Sequence, residues 1–447
     1  MLAYGTCALT LLTACGGGGS PAPAPPLSVV QPGTQTPAPA SPFRIPDAVT
    51  PAVLFGPYAK VLERCLVAPG VDGVAPSCNT LELPLIGQDT DTPSVDTIMA
   101  RVLVEAPWMT QRFREVLELM PPEGLRFFRS ITGVVIGTVR PSFYAPVTGG
   151  IYLDALYLAI TPKQIDDVDR STPDFREDFG SALSFEIPAR YLRNGTPLGQ
   201  GDLALGTRDG SNIITSLLLY HELTHATDFF PPDRIDAIDR GRAIDEVSFA
   251  GERLSDDLRV NTPLTSWRLR SLAGVRFLGD AATAAERALE PDDVGREFPL
   301  DGAVDWYAYA TQFEDLAMLF EALWTHYALG LDRDIAVLPL LSGPFSCDDL
   351  VVAWGERNRL ANPAVTNRIR QVLPRALPSK AYLLEHHLDT MPASETMLPG
   401  STWCAPVFAS APLRSFGAPT SLLPLAGSVV ERRPRVWQRD GRIRAIQ

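Results

Sequence analysis

The chain has 447 residues, 45% of them hydrophobic and 20% charged, with a formal net charge of −13 at pH 7. That length buries a sizeable core as one large domain or two smaller ones, and the composition is that of an ordinary globular protein. The acidic balance excludes nucleic acid as the expected partner, because phosphate binding needs a basic patch.

The N-terminus bears on location. Met1 to Ala14 is short, apolar and rich in small residues, and it ends Leu12-Thr13-Ala14-Cys15. That quartet resembles a bacterial lipobox, which implies a signal peptide over 1–14 and lipidation of Cys15. No Lys or Arg precedes the apolar run, a departure from the pattern. Residues 15–50, opening with Gly16 to Gly19 and continuing rich in Pro, Ala and Thr, cannot build a core and read as a tether. No later stretch approaches the roughly 20 apolar residues of a membrane span. The expectation is an exported protein of the bacterial cell envelope, at the periplasmic face or outer membrane, held by a lipid anchor alone.

With Cys7 in the signal and Cys15 lipidated, four of the six cysteines remain: Cys65, Cys78, Cys347 and Cys404. In an oxidising compartment an even number suggests two disulfides. Three pairings are open, with Cys65–Cys78 and Cys347–Cys404 as the local choice. No Cys-x-x-Cys occurs, which disfavours a cysteine-rich metal site.

Along the chain, Ala52 to Leu66 reads as a short helix. Ser94 to Val104 and Met109 to Leu119 carry helical apolar spacing, broken by Pro107 and by Pro121-Pro122. Val134 to Val139 is a β-branched run, and Ile151 to Ile160 is an apolar run between Gly149-Gly150 and Pro162. These two are the best strand candidates. From Ile213 onward nearly everything reads as helical. The fold class expected is α+β, mainly helical, with a small sheet before a metal-bearing helix and a helical C-terminal part. Residues 51–430 read as one domain with a helical insertion at about 235–300. Residues 431–447 form a basic tail or hairpin (Arg432, Arg433, Arg435, Arg439, Arg442, Arg444) turning at Asp440-Gly441.

The chemistry concentrates in His221-Glu222-Leu223-Thr224-His225, which holds two of the five histidines. Residues four apart share a helix face, so both imidazoles can ligate one ion, with zinc expected. Glu222, one position on, can take a proton from water that the metal activates. Ile213 to Tyr220 is apolar and Gly-free, and Pro231-Pro232 closes the run.

A catalytic zinc needs a third protein ligand. Glu314, on an amphipathic stretch from Tyr307 to Glu321, has the small Ala317 at i+3, which allows close helix packing. Tyr307 lies seven before it on the same face, where its hydroxyl can serve an oxyanion. Glu246, 21 positions after His225, is the rival. Glu321 shares the face of Glu314 but two turns away. Asp228, three after His225, can orient a ligating imidazole or simply cap or solvate the helix end; Asp315 has a weaker claim to such a supporting role. His326, His386 and His387 have no metal spacing and read as surface or core histidines, and Trp403 as packing.

His-Glu-x-x-His with a downstream helical glutamate resembles the gluzincin metallopeptidases. The pattern Glu-Asp-x-Ala-x-x-Phe, with a tyrosine seven before the glutamate, looks most like the anthrax-lethal-factor branch and its bacterial relatives. The resemblance covers only about Ile213 to Phe230 and Trp306 to His326. It implies a zincin-like catalytic domain acting on peptide or protein substrates, with zinc at His221, His225 and Glu314, Glu222 as general base and acid, and Tyr307 as transition-state stabiliser. Glu314 lies 89 positions after His225, further than the family usually has, so the intervening helices must fold back. The alternative is a non-catalytic zinc-binding envelope lipoprotein with a binding or scaffold role.

Overall fold

The β-branched run at Val134 forms the middle of a sheet buried on both faces, as a near-continuous apolar strand should. A computed structural model describes residues 43–409, apart from 71–74, 170, 172–173, 177, 200–202, 204–205 and 343–344. The signal, Cys15 and the basic tail lie outside the described residues.

The first sheet contains β1 (Thr50–Pro51), β2 (Val102–Val104), β3 (Gly133–Gly137), β4 (Phe143–Ala145) and β5 (Gly150–Asp154), in the order β1-β2-β3-β5-β4. β3 runs parallel to β2 and β5, placing Val135 opposite both Leu103 and Tyr152, while β1 and β4 are antiparallel edges. Strands approach so closely at Gly133 that a Cβ there would lie 2.5 Å from the Arg101 carbonyl oxygen. β5 stops at Asp154, whose carboxylate accepts the Leu156 N–H at 2.9 Å and starts a 3₁₀ turn, so only the first half of the Ile151–Ile160 run is strand. Likewise Ser94–Val104 divides into a helix, Val95–Met99, and then β2. Pro107 breaks nothing; it begins the helix Pro107–Leu119, where its missing N–H has no partner to lose.

The chain joins the fold before residue 50. Arg44 N–H donates to the Arg140 carbonyl at 3.1 Å, and the Phe43 ring lies 4.7 Å from that of Phe143. Of the Ala52–Leu66 segment only Leu62–Leu66 is helical, and Phe55 is exposed.

The expectation of an almost wholly helical region after Ile213 is corrected by a second, antiparallel sheet. It holds β6 (Phe185–Glu186), β7 (Ala189–Arg193), β8 (Thr196–Pro197), β9 (Leu331–Pro339), β10 (Trp354–Arg357) and β11 (Glu395–Thr396), ordered β11-β10-β9-β7-β8 with β6 also on β9. The opening of β9, Leu331-Asp332-Arg333-Asp334, does not look like a strand. Its buried acid is satisfied across the sheet: Arg190 Nη2 reaches Asp334 at 2.8 Å and Arg357 Nε at 2.7 Å. Ion pairs between neighbouring strands thus replace the apolar alternation.

Two long helices pack against each other through the centre: the His helix, Arg208–Phe229, and the Glu helix, Gln312–Leu329. The first is capped by Thr207, whose hydroxyl accepts the Gly210 N–H at 3.2 Å. The second is capped by Thr311, which accepts the Glu314 N–H at 3.1 Å, and ends at Gly330 with φ of 62°. Between them the region 235–300 folds as short helices that return the chain to the His helix. Cys65–Cys78 and Cys347–Cys404 are both bonded. Among the described residues no helix is long and apolar enough to cross a membrane.

Candidate metal centre

Because His221 and His225 are one turn apart on a buried helix face, their rings converge: the two Nε2 atoms are 3.1 Å apart. Glu314, in the first turn of the Glu helix, brings Oε2 to 3.0 Å from His221 Nε2 and 3.5 Å from His225 Nε2. Ala317, fully buried between the helices, leaves room for that approach. The three side chains form a group able to hold a metal ion, and each is only 1% exposed.

The donor set fits zinc. Three ligands at about 2.0–2.1 Å in a tetrahedron lie roughly 3.3 Å from one another. Two imidazoles and one carboxylate form a set that could hold such an ion.

Glu222 is fully buried, and neither carboxylate oxygen has a hydrogen-bond partner. Burial pushes its pKa up to about 8, against the opposing charge of His221. The Tyr144 amide on β4 favours the ionised form from outside bonding geometry. For Glu314, burial also works against the charge, but the two imidazoles outweigh it and hold the carboxyl well below its usual range. Burial lowers the pKa of His225. The same burial acts on His221, where hydrogen bonds to Glu314 and Glu321 prevail and raise it to about 10.

Tyr307 lies beside the group, but on a 3₁₀ turn, Trp306–Tyr309, that precedes the Glu helix rather than two turns back on its face. Its ring stacks on His221 at 6.0 Å between centroids, Phe277 packs on it at 4.7 Å, and its hydroxyl bonds Glu314. Burial, with the charge of Glu314, raises its pKa well above the ordinary tyrosine value.

Other expected residues are placed differently. Glu246 is exposed and pairs with Arg242 at 3.2 Å, away from the histidines. Asp315 pairs with Arg368 at 2.8 Å, tying the Glu helix to the helix Pro363–Ala376 rather than to a ligand. Asp228 accepts the Ser255 N–H at 2.8 Å through one oxygen. Its other oxygen and His225 Nδ1 are both buried without a hydrogen-bond partner, so of the two roles open to Asp228 the bond orienting His225 is not made.

Glu321, set aside in the sequence as two turns from Glu314, does reach the group, and Arg176 was not marked at all. Glu321 Oε2 lies 3.1 Å from His221 Nδ1, and Tyr191 from β7 donates to its other oxygen at 3.3 Å. The seven-residue spacing from Glu314 to Glu321 was the available signal. Arg176 is buried in a turn, held by Asp174 at 2.8 Å, and its charge opposes the upward shifts of both Glu222 and Tyr307. Nothing in the sequence around Arg176 marks it.

Compared with known families, curated proteins and solved structures, this chain matches none.

Proposed function

We propose that the protein is a zinc-dependent peptidase of the bacterial cell envelope, of the gluzincin type. One observation carries the reading: His221, His225 and Glu314 converge on a point beside an unpartnered, buried Glu222 carboxylate. A bound zinc supplies Lewis acidity, which acidifies water and polarises a carbonyl. Glu222, ionised where the charge of a bound cation offsets its burial, would take the proton from the attacking water and pass it to the departing amine. The Tyr307 hydroxyl donates a hydrogen bond to the oxygen on which negative charge develops. Glu321 fixes the His221 ring through Nδ1 so that Nε2 faces the cluster.

The zinc identity, the export and the lipid anchor at Cys15 belong to the same proposal. The test is Glu222→Gln: the variant should keep one tightly held zinc per chain and lose peptide hydrolysis by at least about two orders of magnitude. Unchanged turnover refutes the mechanism.

The seclusion of the cluster favours a second reading, a non-catalytic zinc-binding envelope protein, since a purely structural ion is held out of solvent in this way. On that reading zinc is stoichiometric, wild type hydrolyses no peptide, and zinc removal lowers stability.

A further inference from the structure

Four of the five histidines of this chain occur as two facing pairs, and the second pair lies outside the centre described above. His326 Nδ1 is 2.8 Å from His387 Nε2, with ring centroids 4.9 Å apart. His326 stands in the last turn of the Glu helix, and His387 in the last turn of the helix Ala381–Thr390. Two helix C-termini therefore meet at this pair, each presenting the negative end of its dipole. Asp332, at the start of β9, lies 3.5 Å from His326 Nε2 and is itself fixed by Asn358 Nδ2 at 2.7 Å. The two arginines lining the adjoining cavity, Arg333 and Arg359, are each turned toward an acid, Asp305 and Glu356.

We propose that His326 and His387 form a second cation site, for a divalent transition metal that favours imidazole, such as zinc or copper(II). The separation of the two nitrogens resembles the 3.1 Å of the His221–His225 pair, and in each pair a carboxylate faces the remaining nitrogen of one ring. That carboxylate orients the ring and raises its basicity as a ligand. Helix dipoles and Asp332 favour positive charge at this pair. With only two side-chain ligands the site is weaker than the buried three-ligand centre and leaves its other positions to water. A cation there pins the end of the Glu helix, and with it Glu314 and Glu321, to the helix Ala381–Thr390.

The experiment is equilibrium dialysis of the metal-stripped full-length chain against zinc, repeated with copper(II) and electron paramagnetic resonance. Wild type should bind two zinc ions per chain in a tight and a weaker class, and copper(II) in the weaker class should show nitrogen coupling. His387→Ala and His326→Gln should each lose the weaker class and keep the tight one. Glu314→Ala should do the opposite, so failure of the peptidase reading leaves this result standing. His386→Ala should change neither. One zinc per chain in wild type, or a weaker class that survives both His387→Ala and His326→Gln, leaves the pair as two hydrogen-bonded neutral imidazoles and overturns the proposal. Loss of the weaker class with His386→Ala overturns it as well. Thermal unfolding of each metal-free variant checks that the fold is intact.

Discussion

Glu321 and His221 meet across the interface of the two central helices, Oε2 to Nδ1 at 3.1 Å. The carboxylate that turns the ring and the carboxylate that faces its other nitrogen, Glu314, come from the same helix two turns apart. Glu321→Ala should therefore weaken zinc affinity by about 10–100-fold, the usual effect of losing such a partner. Glu321→Gln keeps an acceptor for the Nδ1 proton and should retain most of the affinity. Competition with a chromophoric chelator reads both values, and an unweakened Glu321→Ala variant would remove Glu321 from the site.

Glu314 and Glu246 make opposite predictions although both are acids downstream of the histidines. Glu314→Ala should abolish the tight zinc class. Glu246→Ala removes only an exposed pair with Arg242, of the kind that contributes about 0–1 kcal/mol, and should leave zinc binding unchanged. Metal content after gel filtration distinguishes them; zinc lost from the Glu246 variant and kept in the Glu314 variant would reverse the assignment.

The legible parts of this molecule are those that local geometry determines. Helical spacing alone puts His221 and His225 on one face, and the accompanying Tyr307 and Ala317 singled out Glu314 against the nearer Glu246. The partners of Asp228, Asp315 and Glu321 depend on how separate helices are rotated against one another, which no local pattern contains. Asp228 turned toward the Ser255 amide, Asp315 toward Arg368, and Glu321 toward His221. β9 was missed for a related reason: its buried Asp334 is tolerable only because Arg190 and Arg357 arrive from strands far off in sequence. β3 was readable because both its faces are covered and its residues are uniformly apolar.

The two disulfides should differ in their effect on stability. Cys65–Cys78 spans 13 positions and Cys347–Cys404 spans 57, which in the chain-entropy account corresponds to about 3 and about 4 kcal/mol. Paired Cys→Ser variants, compared by urea denaturation, should both unfold earlier than wild type, the Cys347/Cys404 variant more so. A smaller effect for the longer loop would refute the entropic ordering.

His387 gives the metal-free protein a specific pH response. Burial lowers its folded pKa from 6.5 to about 4, with the charges of His326 and His386 acting in the same direction. Asp332 faces the pair through His326, and the Tyr327 ring packs edge-on against His387 at 5.1 Å. Between about pH 6.5 and pH 4 the unfolded chain therefore holds a proton on this imidazole that the folded chain does not. Stability must then fall as pH falls through that window. Chemical denaturation at pH 7, 6 and 5 should show the decline, and His387→Gln, which cannot titrate, should flatten part of it. Half-burial of the ring keeps the effect modest. Zinc at the proposed His326–His387 site competes with the same proton, so the stabilisation by added zinc should depend on pH less steeply in His387→Gln than in wild type, the tight centre keeping its own share. An identical slope in wild type and His387→Gln, with or without zinc, would show that this imidazole does not titrate between the folded and unfolded states as its surroundings require.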